Sequence, residues 1–158
     1  MKSNLISKSE TLSMMNVLSE KWKFELPKIK NLRFHHVSDN EIIITGDGIT
    51  AVKIDDIVLP HLSEVELLKK FPHVIVDMGA IKFVCKGANV MRPGITKLSD
   101  FEKDEIVCVV EESNDKFLSV GIAKMSSNEA NSTKTGMVIE NLHYISDKYW
   151  EIKKEIKT

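Results

Sequence analysis

The chain contains few of the residue types on which metal-binding and redox proteins depend. Its 158 residues include two cysteines, Cys85 and Cys108, and neither has a second cysteine at Cys-x-x-Cys spacing. A zinc knuckle is therefore not expected, and both cysteines are predicted to be small core residues because their neighbours are apolar. The four histidines before residue 80 show no metal-ligand spacing, so we expect structural roles for them and no metal or cofactor.

Long apolar runs and a dominant charge are also missing. No run approaches the roughly 20 apolar residues that span a bilayer, and no secretory leader opens the chain, which predicts a soluble cytoplasmic protein without membrane contact. The net charge is −1, with 10 basic and 10 acidic residues before residue 73 and 12 and 13 after it. Any nucleic-acid site must therefore be a local cluster of cations on a neutral body.

Recognisable catalytic motifs are absent as well. The sequence has no Gly-x-Ser-x-Gly, no Walker loop and no paired acids in a known frame. A chain of this length leaves little room for an enlarged active-site cleft. We therefore predict a protein that is not an enzyme, and an RNA-modifying enzyme remains the last of the alternatives.

The first 72 residues predict a small α+β domain. Apolar residues spaced by three and four over residues 9–23 indicate an amphipathic helix that ends before Pro27. The residues of this stripe are Leu12, Met15, Leu18 and Trp22. Two β-rich runs, 41–45 and 49–54, flank Gly46-Asp47-Gly48 and predict a hairpin. A second helix is expected over residues 63–70, with Ser63 and Glu66 as a capping box and Pro72 as its stop.

Residues 73–158 predict a second domain that is rich in strands. The candidate strands are 73–77, 89–92, 105–111, 117–125 and 137–145. Five short strands and one short helix bury their edges best as a small closed barrel, so the fold class is α+β with a barrel in the second half. Residues 126–135 predict an exposed loop, and the charged segment 151–158 is either a helical extension or a frayed end.

The connection between the first two of these strands is the main functional signal. Gly79-Ala80 and Gly87-Ala88 bracket one short apolar segment, which predicts a strand, a short helix and a strand in tight succession. Lys82 and Lys86 are four apart and are expected on one helix face, and Arg92 is one of two arginines in the chain. A compact corner that carries cations is suited to bind phosphate groups.

Three segments carry a resemblance to a known family. Residues 77–95, 119–126 and 134–150 resemble the PUA domain, the β-barrel RNA-binding module named after pseudouridine synthases and archaeosine transglycosylases. The segments 77–95 and 134–150 together are similar to the malignant T-cell amplified sequence proteins, a translation-associated group related to the ligatin initiation factors. Two positions depart from the eukaryotic pattern: Lys148-Tyr149 replaces Gly-Leu, and Arg92 stands where many relatives have cysteine.

The resemblance implies a non-enzymatic RNA-binding protein with a pre-PUA domain over residues 1–72. Its partners would be small-subunit ribosomal RNA or tRNA, and a translation-factor protein that docks on the first domain, as density-regulated protein does with eukaryotic relatives. The implied RNA-contacting positions are Gly79, Lys82, Lys86, Gly87, Ala88, Asn89 and Arg92, with Lys124 and Lys134 as an extension. Backbone N–H groups at Gly79, Gly87 and Ala88 are expected to approach phosphate or a 2′-hydroxyl group directly.

The sequence allows two roles for several of these residues and a second function for the protein. Asn89 is either a base-edge contact or a turn residue, and Lys124 and Lys134 are either part of the positive surface or solvated loop ends. Tyr144 and Trp150 either stack on a base or, as their alternating pattern favours, pack in the core. The second functional hypothesis is a protein-interaction adaptor in a translation or RNA-modification complex whose barrel makes no RNA contact.

Overall fold

A computed structural model describes residues 1–156 and divides the chain into two compact units, residues 1–60 and residues from His61 onward. Residues 61–72 cluster with the second unit, whereas the sequence suggested a division after residue 72. That domain boundary therefore remains a proposal. Among the described residues, no helix is both long and apolar enough to cross a bilayer.

The first unit is a helix with a five-stranded antiparallel sheet. Its elements are β1 (Lys2–Leu5), α1 (Lys8–Trp22), β2 (Arg33–Ser38), β3 (Glu41–Gly46), β4 (Ile49–Ile54) and β5 (Ile57–Pro60). The strands pair in sequence order, from β1 to β5. The predicted hairpin is confirmed: β3 and β4 pair from Glu41 with Ile54 to Gly46 with Ile49.

Helix α1 confirms the predicted amphipathic helix, but its buried face differs from the predicted one. The helix buries Met15, Leu18 and Trp22, whereas Leu12 is 64% exposed, so its predicted place in the buried stripe was wrong. Thr11 takes that place, because its hydroxyl accepts a hydrogen bond from the backbone N–H of Leu32 at 3.0 Å. The polar Thr11 is thus buried, whereas the spacing of apolar residues had predicted burial of the neighbouring Leu12.

The second unit is a nearly closed six-stranded barrel with short helices. Its elements are α2 (Val65–Leu68), β6 (His73–Val76), α3 (Ile81–Val84), β7 (Val90–Met91), β8 (Ile95–Leu98), β9 (Ile106–Glu111), β10 (Phe117–Ala123), α4 (Ser127–Ser132), β11 (Met137–Tyr144) and α5 (Lys148–Glu155). The strand order is β7-β11-β10-β9-β6-β8. All pairs are antiparallel except β6 with β9.

Apolar side chains from the inner faces of these strands form the barrel core. The buried cluster includes Val74, Val76, Val84, Val90, Ile95, Phe101, Val107, Val109, Leu118, Ala123, Ala130, Val138 and Ile139. Alternation is visible in β6, where Val74 and Val76 are buried and the residues between and before them are half-buried. Each fully buried valine contributes on the order of 2 kcal/mol relative to exposure.

Two predictions about this unit were wrong, and one strand was not predicted. The capping box fails because α2 begins at Val65 without a side-chain cap, and the Ser63 hydroxyl bonds to Nδ1 of His61 instead. The predicted loop 126–135 contains α4, which Ser126 caps by accepting from the N–H of Glu129. The strand β8 was not predicted, because Pro93-Gly94 was interpreted as the end of the tight connection that begins at Asp77.

Candidate nucleic-acid interface

Residues 77–94, here called the corner, connect β6 to β8 and include α3 and β7. Asp77 follows β6, and its side chain accepts a hydrogen bond from the N–H of Ala80 at 3.0 Å, which caps a 3₁₀ turn over Met78–Ala80. The N–H of Asp77 donates to the carbonyl of Gly94 at 3.0 Å and thereby joins the two ends of the corner. The predicted succession of strand, short helix and strand is confirmed.

Gly87 is the residue that permits the tight return after α3. Its φ is +95°, and a Cβ at this position would lie 3.0 Å from Cε1 of Tyr144. A side chain here would be disfavoured both by the left-handed backbone and by the tyrosine ring. Tyr144 therefore packs against the corner, and it is half-buried rather than part of the buried core.

The backbone N–H groups of Gly87 and Ala88 are used inside the turn. The Gly87 N–H donates to the carbonyl of Val84 and the Ala88 N–H donates to that of Phe83, both at 3.0 Å. The expectation that these two N–H groups approach phosphate is therefore corrected. Gly79 and Ala88 are exposed, so they form part of the corner's surface.

Asn141, on β11, holds the corner in place. Its Nδ2 donates to the carbonyls of Val84 and Ala88 at 3.1 and 3.0 Å, and its backbone N–H donates to Oδ1 of Asn89 at 2.9 Å. The side-chain carbonyl of Asn89 is therefore used within the protein. This favours the predicted role of a turn residue over that of a contact with a base edge. No local pattern indicates this role of Asn141, because its partners lie more than fifty positions away in the chain.

Lys82 and Lys86 are both exposed, but they do not share a helical face. Helix α3 ends at Val84, so Lys86 lies beyond it and the predicted pairing on one face was wrong. The ammonium of Lys82 lies 5.2 Å from the centre of the Phe83 ring. Within residues 1–156, neither lysine forms an ion pair with an acidic side chain.

Arg92 is directed into the protein rather than outward. Its Nε donates to the carbonyl of Ala130 on α4, and Nη1 donates to the carbonyl of Ile95 at 3.1 Å. Its backbone N–H also donates to the carbonyl of Gly136 at 2.8 Å. The arginine therefore connects the corner to the segment around α4, and the expectation that its guanidinium is presented to phosphate is not supported by this geometry.

Lys124 and Lys134 lie on either side of α4. Lys124 follows β10, and Lys134 precedes β11; both side chains are exposed. The structure thus places them at the ends of the segment that Arg92 contacts, while Lys82 and Lys86 belong to the corner itself.

The sequence interpretation missed an apolar part of the corner. Met78, Phe83 and Met91 are 53%, 56% and 48% exposed, which is unusual for such large side chains. Phe83 and Met91 line a shallow depression of about 260 Å³ whose floor includes Ala88 and Val90. Exposed apolar surface in the corner is a candidate contact surface for a partner. The signal in the sequence was the aromatic residue next to Lys82.

A buried histidine cluster lies elsewhere in the second unit. His143 Nδ1 contacts a carboxylate oxygen of Asp147 at 2.8 Å, and its Nε2 accepts the N–H of Leu62 at 3.0 Å. His61 Nε2 bonds to the carbonyl of Tyr149, and its ring lies parallel to that of Trp150 at 6.2 Å. Burial and the neighbouring His143 lower the pKa of His61 to about 4.

The contacts of this cluster indicate a structural role. Asp147 also caps α5 by accepting the N–H of Trp150 at 2.8 Å. The ring nitrogens of both histidines have protein partners, so the rings link the segment before α2 to α5. Among residues 1–156, no group of three or more His, Cys, Asp or Glu side chains is placed to hold a metal ion.

Comparison with known protein families places the barrel in a defined group. The model of the PUA domain matches residues 72–145. An uncharacterized protein of Methanocaldococcus jannaschii is 42% identical over 132 residues, which is 81% of this chain and 80% of that protein. Translation machinery-associated protein 20 of Schizosaccharomyces pombe is 35% identical over 134 residues, or 80% and 74% of the two chains.

Vertebrate relatives match a shorter region. Malignant T-cell-amplified sequence 1 of Danio rerio is 40% identical over 102 residues, which is 60% of this chain and 56% of that protein. The match thus spans little more than half the length of this relative.

Solved structures share the fold. A hypothetical protein of Pyrococcus horikoshii superimposes with a TM-score of 0.79 at 24% identity, over 96% of this chain and 99% of that one. A chain of an H/ACA ribonucleoprotein bound to a substrate RNA matches with a TM-score of 0.50 at 22% identity, over 61% of this chain and 29% of that one.

Proposed function

Because the chain belongs to the PUA-domain proteins related to the malignant T-cell-amplified sequence proteins and to translation machinery-associated protein 20, we propose that it binds structured RNA during translation. The RNA-contacting surface in this proposal is the corner. The PUA domain is an RNA-binding module, and the name of the fission-yeast relative connects it with the translation machinery.

The observation that carries the proposal is an exposed aromatic ring on a rigid turn that also carries two exposed lysines, one of which, Lys82, has its ammonium 5.2 Å from the centre of that ring. Phe83 offers a ring face on which an unpaired base stacks, and Lys82 and Lys86 lie on either side of it in the chain. The turn that carries them is fixed by Gly87 and Asn141. A fixed surface binds RNA without an additional cost for ordering the loop.

The remaining predicted positions have secondary roles in this proposal. Gly79, Ala88 and Asn89 form the surface between the two lysines, and Lys124 and Lys134 extend the positive charge if the RNA continues past the corner. Arg92 supports this surface without contacting RNA, because its guanidinium connects α4 to the corner. The targets are small-subunit ribosomal RNA or tRNA, and we place the protein in the cytoplasm with the ribosome.

We infer a role without catalysis. None of the three relatives has a name that denotes an enzyme. The corner positions RNA through phosphate contacts and shape rather than through a chemical step. A translation-factor protein docked on the first unit completes the proposed complex.

The test separates the charge contribution from the stacking contribution. Lys82→Ala combined with Lys86→Ala removes two phosphate contacts, so the slope of log affinity against log salt for bulk tRNA or small-subunit rRNA should fall by about 1.4 to 1.8. Phe83→Ala should weaken binding by about 1–3 kcal/mol without changing that slope. Fluorescence anisotropy over a range of salt concentrations measures both.

Lys97→Ala combined with Lys103→Ala is the matched control, because both lysines are exposed in the second unit outside the corner. This control should leave the slope near that of the unmodified protein. An unchanged slope in the Lys82 and Lys86 variant, together with tight RNA binding, would show that the corner is not the RNA surface.

The second candidate is an adaptor that contacts only proteins. The nearly neutral charge of the chain favours it. Pull-down from extract treated with nuclease distinguishes the two: partners that persist without RNA support the adaptor, and loss of all partners counts against it.

A further inference from the structure

The first unit has an open groove that the RNA proposal does not use. It lies between α1 and the irregular segment that follows it, and it encloses about 610 Å³. Lys8, Leu12 and Met15 contribute one wall from the helix, and Leu26, Ile29 and Lys30 contribute the other. Since all of these residues belong to residues 1–60, the groove is complete within one compact unit.

The floor of the groove is apolar and partly open to solvent. Leu12 points away from the core and is 64% exposed, while Leu26 and Ile29 are half-buried. Burial of these side chains by another molecule would remove apolar surface from water, which favours association. A leucine that leaves the buried stripe of an amphipathic helix is the kind of side chain on which a partner docks.

The rim of the groove has a single sign of charge. Lys8, Lys28 and Lys30 line it and are exposed, and the lining includes no aspartate or glutamate. Within the part of the chain that the structure describes, none of the three forms an ion pair. The chain as a whole has a net charge of −1, so this positive rim is a local feature that selects a negatively charged occupant.

We propose that the groove binds an acidic amphipathic helix of a partner protein. The partner's apolar residues, spaced by three and four, would lie on Leu12, Leu26 and Ile29, and its flanking glutamates and aspartates would contact the three lysines. RNA fits this groove less well than the corner, because no aromatic ring lines it on which a base could stack. The inference does not depend on the proposed RNA contact; it rests on the proposed docking of a protein partner on the first unit and assigns that partner a site and a chemistry.

Two synthetic peptides probe the charge selectivity. Each has about 18 residues, long enough to form a helix on binding, with leucines at helical spacing. The remaining positions are mainly glutamate in one peptide and mainly lysine in the other. The acidic peptide should bind the full chain saturably and shift the backbone amide resonances of residues 8–19 and 26–30, and the basic peptide should not.

Groove variants locate the binding. Lys8→Glu, Lys28→Glu and Lys30→Glu combined, and separately Leu12→Asp, should each weaken binding of the acidic peptide by about tenfold or more. The control is the same change of charge on exposed lysines of the second unit, Lys97→Glu, Lys103→Glu and Lys116→Glu, and it should change affinity by less than about twofold. Thermal unfolding confirms that each variant is folded.

Three results would overturn the inference: no saturable binding of the acidic peptide, equal binding of the basic peptide, or acidic-peptide binding that the groove variants leave unchanged. RNA affinity of the same groove variants separates this inference from the proposed function. If they lose RNA binding, the groove belongs to the RNA surface and the docking proposal fails. If they retain RNA binding and lose the peptide, the two surfaces are independent.

Discussion

At the scale of single residues, Asn141 shows how one side chain on a barrel strand shapes a distant turn. Its two Nδ2 hydrogens satisfy the carbonyls of Val84 and Ala88, and its backbone N–H satisfies Asn89. The contact with Ala88 is exposed, and the partly buried Val84 carbonyl also accepts from the N–H of Gly87, so each lost hydrogen bond should cost about 0.5–1.5 kcal/mol of folding free energy. The position of the corner therefore depends on a residue that touches no RNA in our proposal.

Replacement of Asn141 tests this dependence. Asn141→Asp keeps the shape of the side chain and removes both donors, so the amides of Gly87 and Ala88 should exchange with solvent at least about tenfold faster. RNA affinity should fall as well, because the surface around Phe83 loses its fixed geometry. Hydrogen exchange measured by NMR and anisotropy measured with bulk tRNA report these two effects.

Asn128→Asp provides the control, since Asn128 is an exposed residue of α4 and its change adds the same charge. It should leave exchange in the corner unaltered. If the Asn141 variant also exchanged at the unmodified rate, the three hydrogen bonds would not be what holds the corner.

Several residue roles could be predicted from the sequence, and others could not. Lys82 and Lys86 are exposed in the corner, where the glycines indicated a tight connection. The inward direction of Arg92 depends on carbonyl partners such as Ala130, thirty-eight positions away, which no local pattern indicates. Phe83 was overlooked because an apolar residue in a short helix is usually buried, and its exposure depends on where the turn places α3.

At the scale of secondary structure elements, the spacing of apolar residues and the turn residues predicted those elements that depend on local sequence. Helix α1 and the β3–β4 hairpin follow from the spacing of apolar residues and from the Gly-Asp-Gly turn. Helix α4 escaped prediction because it has no apolar period, and it is held instead by hydrogen bonds from Ser127 to Phe101. The predicted capping box at Ser63 failed because His61 is the partner of that hydroxyl.

The attachment of α5 to the segment before α2 should depend on pH. His61 has a folded-state pKa lowered to about 4 by burial and by His143, while Asp147 and the Tyr149 carbonyl raise it and Lys153 lowers it slightly. The unfolded chain binds a proton at about pH 6.5, so the stabilisation is complete above that pH. It is lost as the pH falls from about 6.5 towards 4, because protonation then favours the unfolded state.

Urea unfolding between pH 7.5 and 4 measures this effect. The free energy of unfolding should fall by an amount on the order of 3 kcal/mol from this group alone. His61→Gln removes the titration, so the steepest part of the decline should disappear even if the variant is less stable at neutral pH. An equal decline in the variant would assign the pH dependence to other groups.

At the scale of the whole molecule, the balance of charge determines what kind of binding is possible. Twenty-two basic and 23 acidic residues nearly balance, so we expect RNA affinity to come from a few contacts at one place. Each compact unit has a surface to which we assign a partner: a groove with a lysine rim in the first, and the corner in the second. We therefore expect a protein that brings an RNA and a protein partner together.

Mapping the residues that touch RNA is the most direct test of the central claim. The full chain is irradiated with ultraviolet light in complex with bulk tRNA or small-subunit rRNA, and the crosslinked peptides are identified by mass spectrometry. We predict crosslinks within residues 78–91, with Phe83 foremost, and their loss in Phe83→Ala. Crosslinks confined to other parts of the chain, with residues 78–91 unmodified, would contradict the account.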